Sequence, residues 1–307
     1  MNDIIIPENC SSNCDDSIYY SLLKHFNLNY QAYNIKYFYN DYFTFSPNDL
    51  TNCIKRGKVQ WDIWSEFYGI NLSFTNKNKS TDLNQLVTGR DANKPIVISI
   101  DPFYCYWSPF YQKAHYFHLL LIVEVKNNKY KCFDVYYNTV GYVEVDCDFI
   151  EKHYNKYFIF DFNHSHELKI ELLINKIKVL LNNFDDDLDS KKKEMSDYFL
   201  LNDRKILFAD NLDTSSLLMH LLWIAEDKKH FQIALKYIED AFNKSIFTKV
   251  FELLLDSSNK FKLLKSVLTK YALTGVIKKE KIDHIISNIF SNDMLTVEQL
   301  MLSLKHI

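Results

Sequence analysis

The chain has 307 residues, 47% hydrophobic and 24% charged, which excludes a disordered protein and leaves room for two ordinary domains. A net charge of −3 carries no basic footprint, so neither RNA nor DNA is an expected partner. No apolar run approaches the ~18–20 residues that span a bilayer. The opening MNDIIIPENCSSNCDD also lacks the basic and apolar regions of a secretory signal, so the expectation is a cytoplasmic protein without membrane association.

All five prolines fall at or before residue 109, and Gly275 is the only glycine after Gly141. Turn chemistry therefore belongs to the first half, and the expected division is a catalytic domain over residues 1–164 and an all-helical domain over 165–307. In the first half, Ser17–Asn27 reads as a helix with Ile18, Leu22, Leu23 and Phe26 on one face. Further helices are expected over Ser46–Arg56 and over Val59–Tyr68, the latter stopped by Gly69. Strands follow at Asn71–Phe74, Pro95–Ile100, His118–Val125, Lys129–Val135 and Gly141–Val145, with a hairpin turning at Asn127-Asn128. From about Ser165 the period becomes helical, over Leu168–Asn182, Ser215–Glu226, His230–Asn243, Ile246–Asp256, Lys260–Leu273, Lys279–Phe290 and Thr296–Lys305. The charge run Phe184–Ser196 reads as a solvated loop.

Six cysteines, at 10, 14, 53, 105, 132 and 147, are expected as free thiols. Cys10 and Cys14 are spaced like metal ligands, but no second pair follows, and no metal is expected. A cysteine nucleophile needs its thiolate stabilised, and a helix N-terminus supplies free N–H groups and the positive end of the macrodipole. Cys14 stands just before the helix expected from Ser17; Cys10 is the competing choice, farther from that helix. The thiol also needs a base, and the base an orienter. His118 opens an apolar strand and Asp134 ends the next, so the hairpin can bring them together if one strand carries a bulge or the ends splay. Against these readings, Cys14 as a buried thiol, His118 as a core or capping residue and Asp134 as a turn residue are the plain alternatives, and tryptophans 61, 64 and 107 are more often core than substrate wall.

The run Cys14-DDSIYYSLL resembles the Cys-x-x-[ST]-x-x-x-x-LL opening of the butirosin-biosynthesis acyltransferase family. Pro95-IVISIDPFYCYWSPFYQKAHYFHLLLI is similar to that family's D-x-x-Y-x-x-Y…H-x-x-H segment, and Asp134 with Tyr136 matches the acid that follows the next strand. The ordering also resembles bacteriocin-processing cysteine peptidases, and the likeness spans about residues 5–160.

The resemblance implies an α+β, papain-like (C39 peptidase-like) domain followed by the all-α domain. It implies a peptidase fold used for amide synthesis in secondary metabolism, akin to the peptidase-like amide synthases of nonribosomal-peptide and polythioamide pathways. Cys14, His118 and Asp134 would be the catalytic residues. The acyl group would arrive as a thioester on the phosphopantetheine of an acyl or peptidyl carrier protein, with no cofactor of the enzyme's own, and would leave on an amine acceptor. Asp101, Tyr104 and Trp107 would contact substrate, the aromatic stretch Phe103–Gln112 forming a wall, and His115 would be a substrate-side or structural partner paired with Asp101. One departure stands out. Papain-like peptidases carry a glutamine about six residues before the nucleophile, and here Glu8 stands there, leaving Asn9 or Asn13 with the Cys14 backbone N–H as the oxyanion donors. A cysteine peptidase and a non-catalytic binding protein on the same fold are the other readings.

Overall fold

The computed structural model describes residues 14–38, 44–45, 54–55, 62–77, 82–90, 94–113, 115–134, 141–162, 167–182, 188–201, 216–276 and 278–307. In chain order the elements are α1 (Cys14–His25), a 3-10 helix (Ala32–Tyr37), β1 (Thr44–Phe45), β2 (Ile54–Lys55), α2 (Asp62–Tyr68), β3 (Ile70–Asn76), α3 (Leu83–Thr88) and β4 (Ile96–Ile100). They continue with β5 (His118–Lys126), β6 (Lys129–Phe133), β7 (Tyr142–Asp146), α4 (Cys147–His153) and β8 (Tyr154–Phe162). The helical run then comprises α5 (Ile170–Asn182), α6 (Leu188–Leu201), α7 (Ser216–Phe242), α8 (Thr248–Thr274), α9 (Lys279–Ser303) and a terminal 3-10 turn. The architecture is α+β, with a six-stranded antiparallel sheet and a helical C-terminal region. Among the described residues no helix is long and apolar enough to cross a membrane.

Two compact units emerge, Met1–Tyr30 with Trp61–Leu168, and Gln31–Gln60 with Lys169–Ile307. The division expected at 164/165 falls at 168/169, and the segment Gln31–Gln60, expected in the catalytic domain, clusters with the helices.

In the first unit the strands run β3-β8-β4-β5-β6-β7. Helices cover both faces. Val97 pairs with Phe158 and Leu121, so these side chains share one face with Phe160. There Tyr19 of α1 and Trp64 of α2 pack on the Phe160 ring at centroid distances of 5.9 and 5.2 Å. On the opposite face Ile96, Ile98, Ile100, Leu120 and Ile122 form a core with Leu83 and Val87 of α3 and with Cys147 and Ile150 of α4. Among the described residues, Trp64, Tyr19, Tyr20, Tyr68, Phe67 and Phe160 are among the largest fully buried side chains.

The hairpin turns at Asn127-Asn128, whose φ values of 50° and 59° are the left-handed pair that a two-residue type I′ connection requires. Gly69 follows α2, as expected. In place of the end of the helix expected over Ser46–Arg56, Ile54–Lys55 pair antiparallel with Thr44–Phe45; residues 46–53 lie outside the described set.

The second unit corrects the count of helices. The expected pairs Ser215–Glu226/His230–Asn243, Ile246–Asp256/Lys260–Leu273 and Lys279–Phe290/Thr296–Lys305 are single helices of 27, 27 and 25 residues. The polar stretches between the apolar runs, such as Asp256–Lys260, continue the helical ladder. Asp256 accepts from Lys260 at 2.9 Å one turn later, and Ser257 and Ser258 are buried. The charge run is corrected too. From Leu188 it is helix α6, which exposes Lys193, Glu194 and Asp197 and buries Met195, Tyr198 and Phe199 at i, i+3, i+4. Asp189 sits in its first turn, where the macrodipole favours a carboxylate. α7, α8 and α9 surround a core that includes Leu221, Ala225, Phe261, Leu264, Leu268, Ile282, Ile286 and Ile289.

Candidate active site

His118 is the first residue of β5 and alternates in phase with Leu120 and Ile122. Whether Asp134 can meet it depends on one residue. From the turn outward, Lys126 pairs with Lys129, Val125 with Tyr130 and Glu124 with Lys131, but Ile122 then pairs with Cys132. Val123 is therefore an extra residue, a β-bulge. Without it Asp134 would stand opposite Leu121 and point to the other face. With it Leu121 faces Phe133, so Asp134 falls opposite Leu120 and on the face of His118. His118 Nε2 lies 3.1 Å from Asp134 Oδ2, and both side chains are almost wholly withdrawn from solvent.

Asp134 is held from two further directions. Its backbone N–H donates to the Gly141 carbonyl at 2.7 Å, and its Oδ2 accepts a 2.7 Å hydrogen bond from Trp107 Nε1. One carboxylate oxygen thus faces both the indole and the imidazole. Because Nε2 faces Asp134, Nδ1 is the nitrogen of His118 directed elsewhere, and it is the one that can serve a nucleophile.

Gly141 makes this anchor possible. Its φ is +74°, and a Cβ there would come 2.6 Å from Phe133 Cε2. Gly141→Ala combines left-handed strain, about 1–2 kcal/mol, with overpacking of about 1–3 kcal/mol. The expected result is a loss on the order of 2–4 kcal/mol, read as a lowered urea midpoint, with Asp134 displaced from His118.

A second histidine–carboxylate pair stands nearby in the chain. Asp101 follows β4, whose last residue Ile100 pairs with His118, so Asp101 lies at the same end of the sheet. His115 Nδ1 is 2.6 Å from Asp101 Oδ2, and the other oxygen accepts from the Phe103 N–H at 3.0 Å and the Tyr116 N–H at 3.4 Å. The Phe103 ring stacks on His115 at 4.1 Å. Tyr104 stacks on His153 of α4 at 4.4 Å, while Trp107 and Tyr106 both pack on Phe149. Tyr104, Tyr106 and Phe117 remain exposed, so the loop presents aromatic surface rather than burying it. Phe149 and His153 went unnoticed in the sequence, where α4 is a seven-residue helix with no periodic signal.

Cys14 is the first residue of α1, and α1 packs against β5. Cys10, Asn9, Asn13, Cys53, Trp61 and Tyr136 lie outside the described residues, as does the environment of the Cys14 side chain. The other cysteines are poor nucleophiles. Burial, then the charges of Asp134 and Asp101, push the Cys105 thiol up to about 12. Burial likewise raises Cys132, reinforced by Asp134, and Cys147. Among the described residues no group of three histidine, cysteine or acidic side chains is placed to hold a metal ion.

No family model matches the chain, and no curated protein resembles it significantly.

Proposed function

We propose that the first unit is a papain-like (C39 peptidase-like) cysteine acyltransferase of the cytoplasm. It takes an acyl group from a carrier-protein thioester and passes it to an amine in secondary-metabolite biosynthesis. The observation that carries the reading is the withdrawn His118–Asp134 pair at 3.1 Å, at the end of the β5–β6 ladder. A buried imidazole with a fixed carboxylate on Nε2 is the orienting half of a triad. A thiol at the first residue of a helix has the stabilising half.

In this mechanism His118 Nδ1 and the Cys14 thiol form an imidazolium–thiolate pair, and Asp134 offsets the positive charge. The thiolate attacks the thioester carbonyl, and the tetrahedral oxyanion takes hydrogen bonds from the Cys14 backbone N–H and from Asn9 or Asn13. Collapse expels the phosphopantetheine thiolate, which takes the proton from His118. Thioester exchange is nearly isoenergetic, so acylation is reversible, and amide formation draws it forward. Water competes with the amine at the acyl-enzyme, and the aromatic loop Phe103–Gln112 is suited to exclude it.

Incubation with an acyl-loaded carrier protein and an amine should yield an amide and a transient acyl adduct. Hydrolysis of peptides with no reaction from thioesters would instead favour a peptidase. No adduct from either substrate would favour a binding protein.

A further inference from the structure

The His115–Asp101 pair is not used by the mechanism above. It has the construction of a base nonetheless. An ionised carboxylate only accepts, so His115 Nδ1 donates to Asp101 and the basic lone pair sits on Nε2. Two backbone N–H groups pin the carboxylate, Phe103 pins the ring, and yet the His115 side chain is 64% exposed. His115 is thus an oriented imidazole paired with a carboxylate on a largely exposed side chain. The register places this pair and the buried one at the same end of the β4–β5 ladder, since Ile100 faces His118.

Building on the acyl-transfer reading, we propose that His115 is a second catalytic base. It deprotonates an incoming ammonium before that amine attacks the acyl-enzyme, with Asp101 as its positioning residue. The division of labour follows from the chemistry. An alkylamine arrives protonated at neutral pH and has no lone pair with which to attack. His115 Nε2 accepts one proton from nitrogen, and Asp101 compensates the resulting imidazolium. The neutral amine then forms the C–N bond as the Cys14 C–S bond breaks. The second amine proton passes through His118 to the Cys14 sulfur, regenerating the thiol, and His115 releases its proton to water. The acceptor class this arrangement selects is a basic primary amine.

The test uses the full chain and hexanoyl and benzoyl thioesters of N-acetylcysteamine as donors, with ethylamine and hydroxylamine as acceptors. Ethylamine is protonated at neutral pH and hydroxylamine is not. His115→Gln and Asp101→Asn should form the acyl-enzyme within about twofold of the unsubstituted protein. Transfer to ethylamine should fall on the order of a hundredfold for His115→Gln, the scale of general-base catalysis, and less for Asp101→Asn. Transfer to hydroxylamine should fall by less than about threefold. Equal losses with the two amines would overturn the role in favour of simple substrate contact, and loss of acyl-enzyme formation in His115→Gln would assign the residue to the first half-reaction. An unsubstituted protein that never acylates would overturn the acyl-transfer reading, and this role with it.

Discussion

Cys14→Ala is expected to abolish acyl-enzyme formation, with turnover falling by at least about a thousandfold, because residues that act as one catalytic unit fail together. Cys10→Ala should retain most activity. The measurement is intact mass after brief exposure to an acyl thioester, with the adduct located by proteolysis and sequencing of the labelled peptide. Label persisting in Cys14→Ala and lost in Cys10→Ala would move the nucleophile to Cys10. Asp134→Asn should be milder, a loss on the order of tenfold. One oxygen of Asp134 faces both Trp107 and His118, so an amide with its oxygen in that place keeps both contacts and forfeits only the charge.

The largest expected effect on stability lies in the helical unit. In the helical unit Lys228 Nζ donates to Asp293 Oδ1 at 2.7 Å, and Ser257 Oγ donates to the same oxygen at 3.0 Å. Both charged side chains are buried, and that burial pushes the Asp293 carboxyl up and the Lys228 ammonium down. Each ion is tolerated because of the other. Asp293→Ala would leave a lysine charge in the core, and the expected cost is about 3–5 kcal/mol. Replacing both, as Lys228→Met with Asp293→Leu, should recover part of that, because the stranded lysine charge is removed while buried Asp227 loses the cation beside it. Urea midpoints of the two variants check this. Equal destabilisation of the single and the double would mean that packing, rather than the stranded charge, sets the cost.

How far the site could be read from residues alone depends on where the information is local. The hairpin was legible because Asn127-Asn128 supports two left-handed residues and apolar alternation flanks it. The His118–Asp134 meeting was legible only as a condition, since nothing in the string Leu121–Val125 marks Val123 as the bulged residue that decides which face Asp134 takes. The indole bond from Trp107 was not legible. A tryptophan 27 positions from its acceptor announces no partner, and core or substrate wall were the readings open to it. Strand β8 was passed over although Phe158, Phe160 and Phe162 are buried in alternation, because a register shift puts Tyr154 out of phase with them and Asn155 and Lys156 are exposed. The long helices were cut at their polar stretches, where the continuity of the backbone ladder outweighs a gap in the apolar stripe. Gln31–Gln60 could not be assigned to the helical unit from sequence, because Tyr37 against His230 and Phe38 against Phe231 are contacts across nearly two hundred residues.

The proposed mechanism requires that Cys14 be held as a thiolate by His118. The pH dependence of alkylation at Cys14 tests it directly, followed by mass with an iodoacetamide pulse from acid to alkaline pH. The buried thiols Cys105, Cys132 and Cys147, all shifted upward, should contribute little label at neutral pH. Cys14 should react rapidly well below the ordinary thiol range near 8.5, and His118→Ala should move the profile up toward that range. A Cys14 profile that already follows an ordinary thiol, and that does not change when His118 is removed, would contradict it.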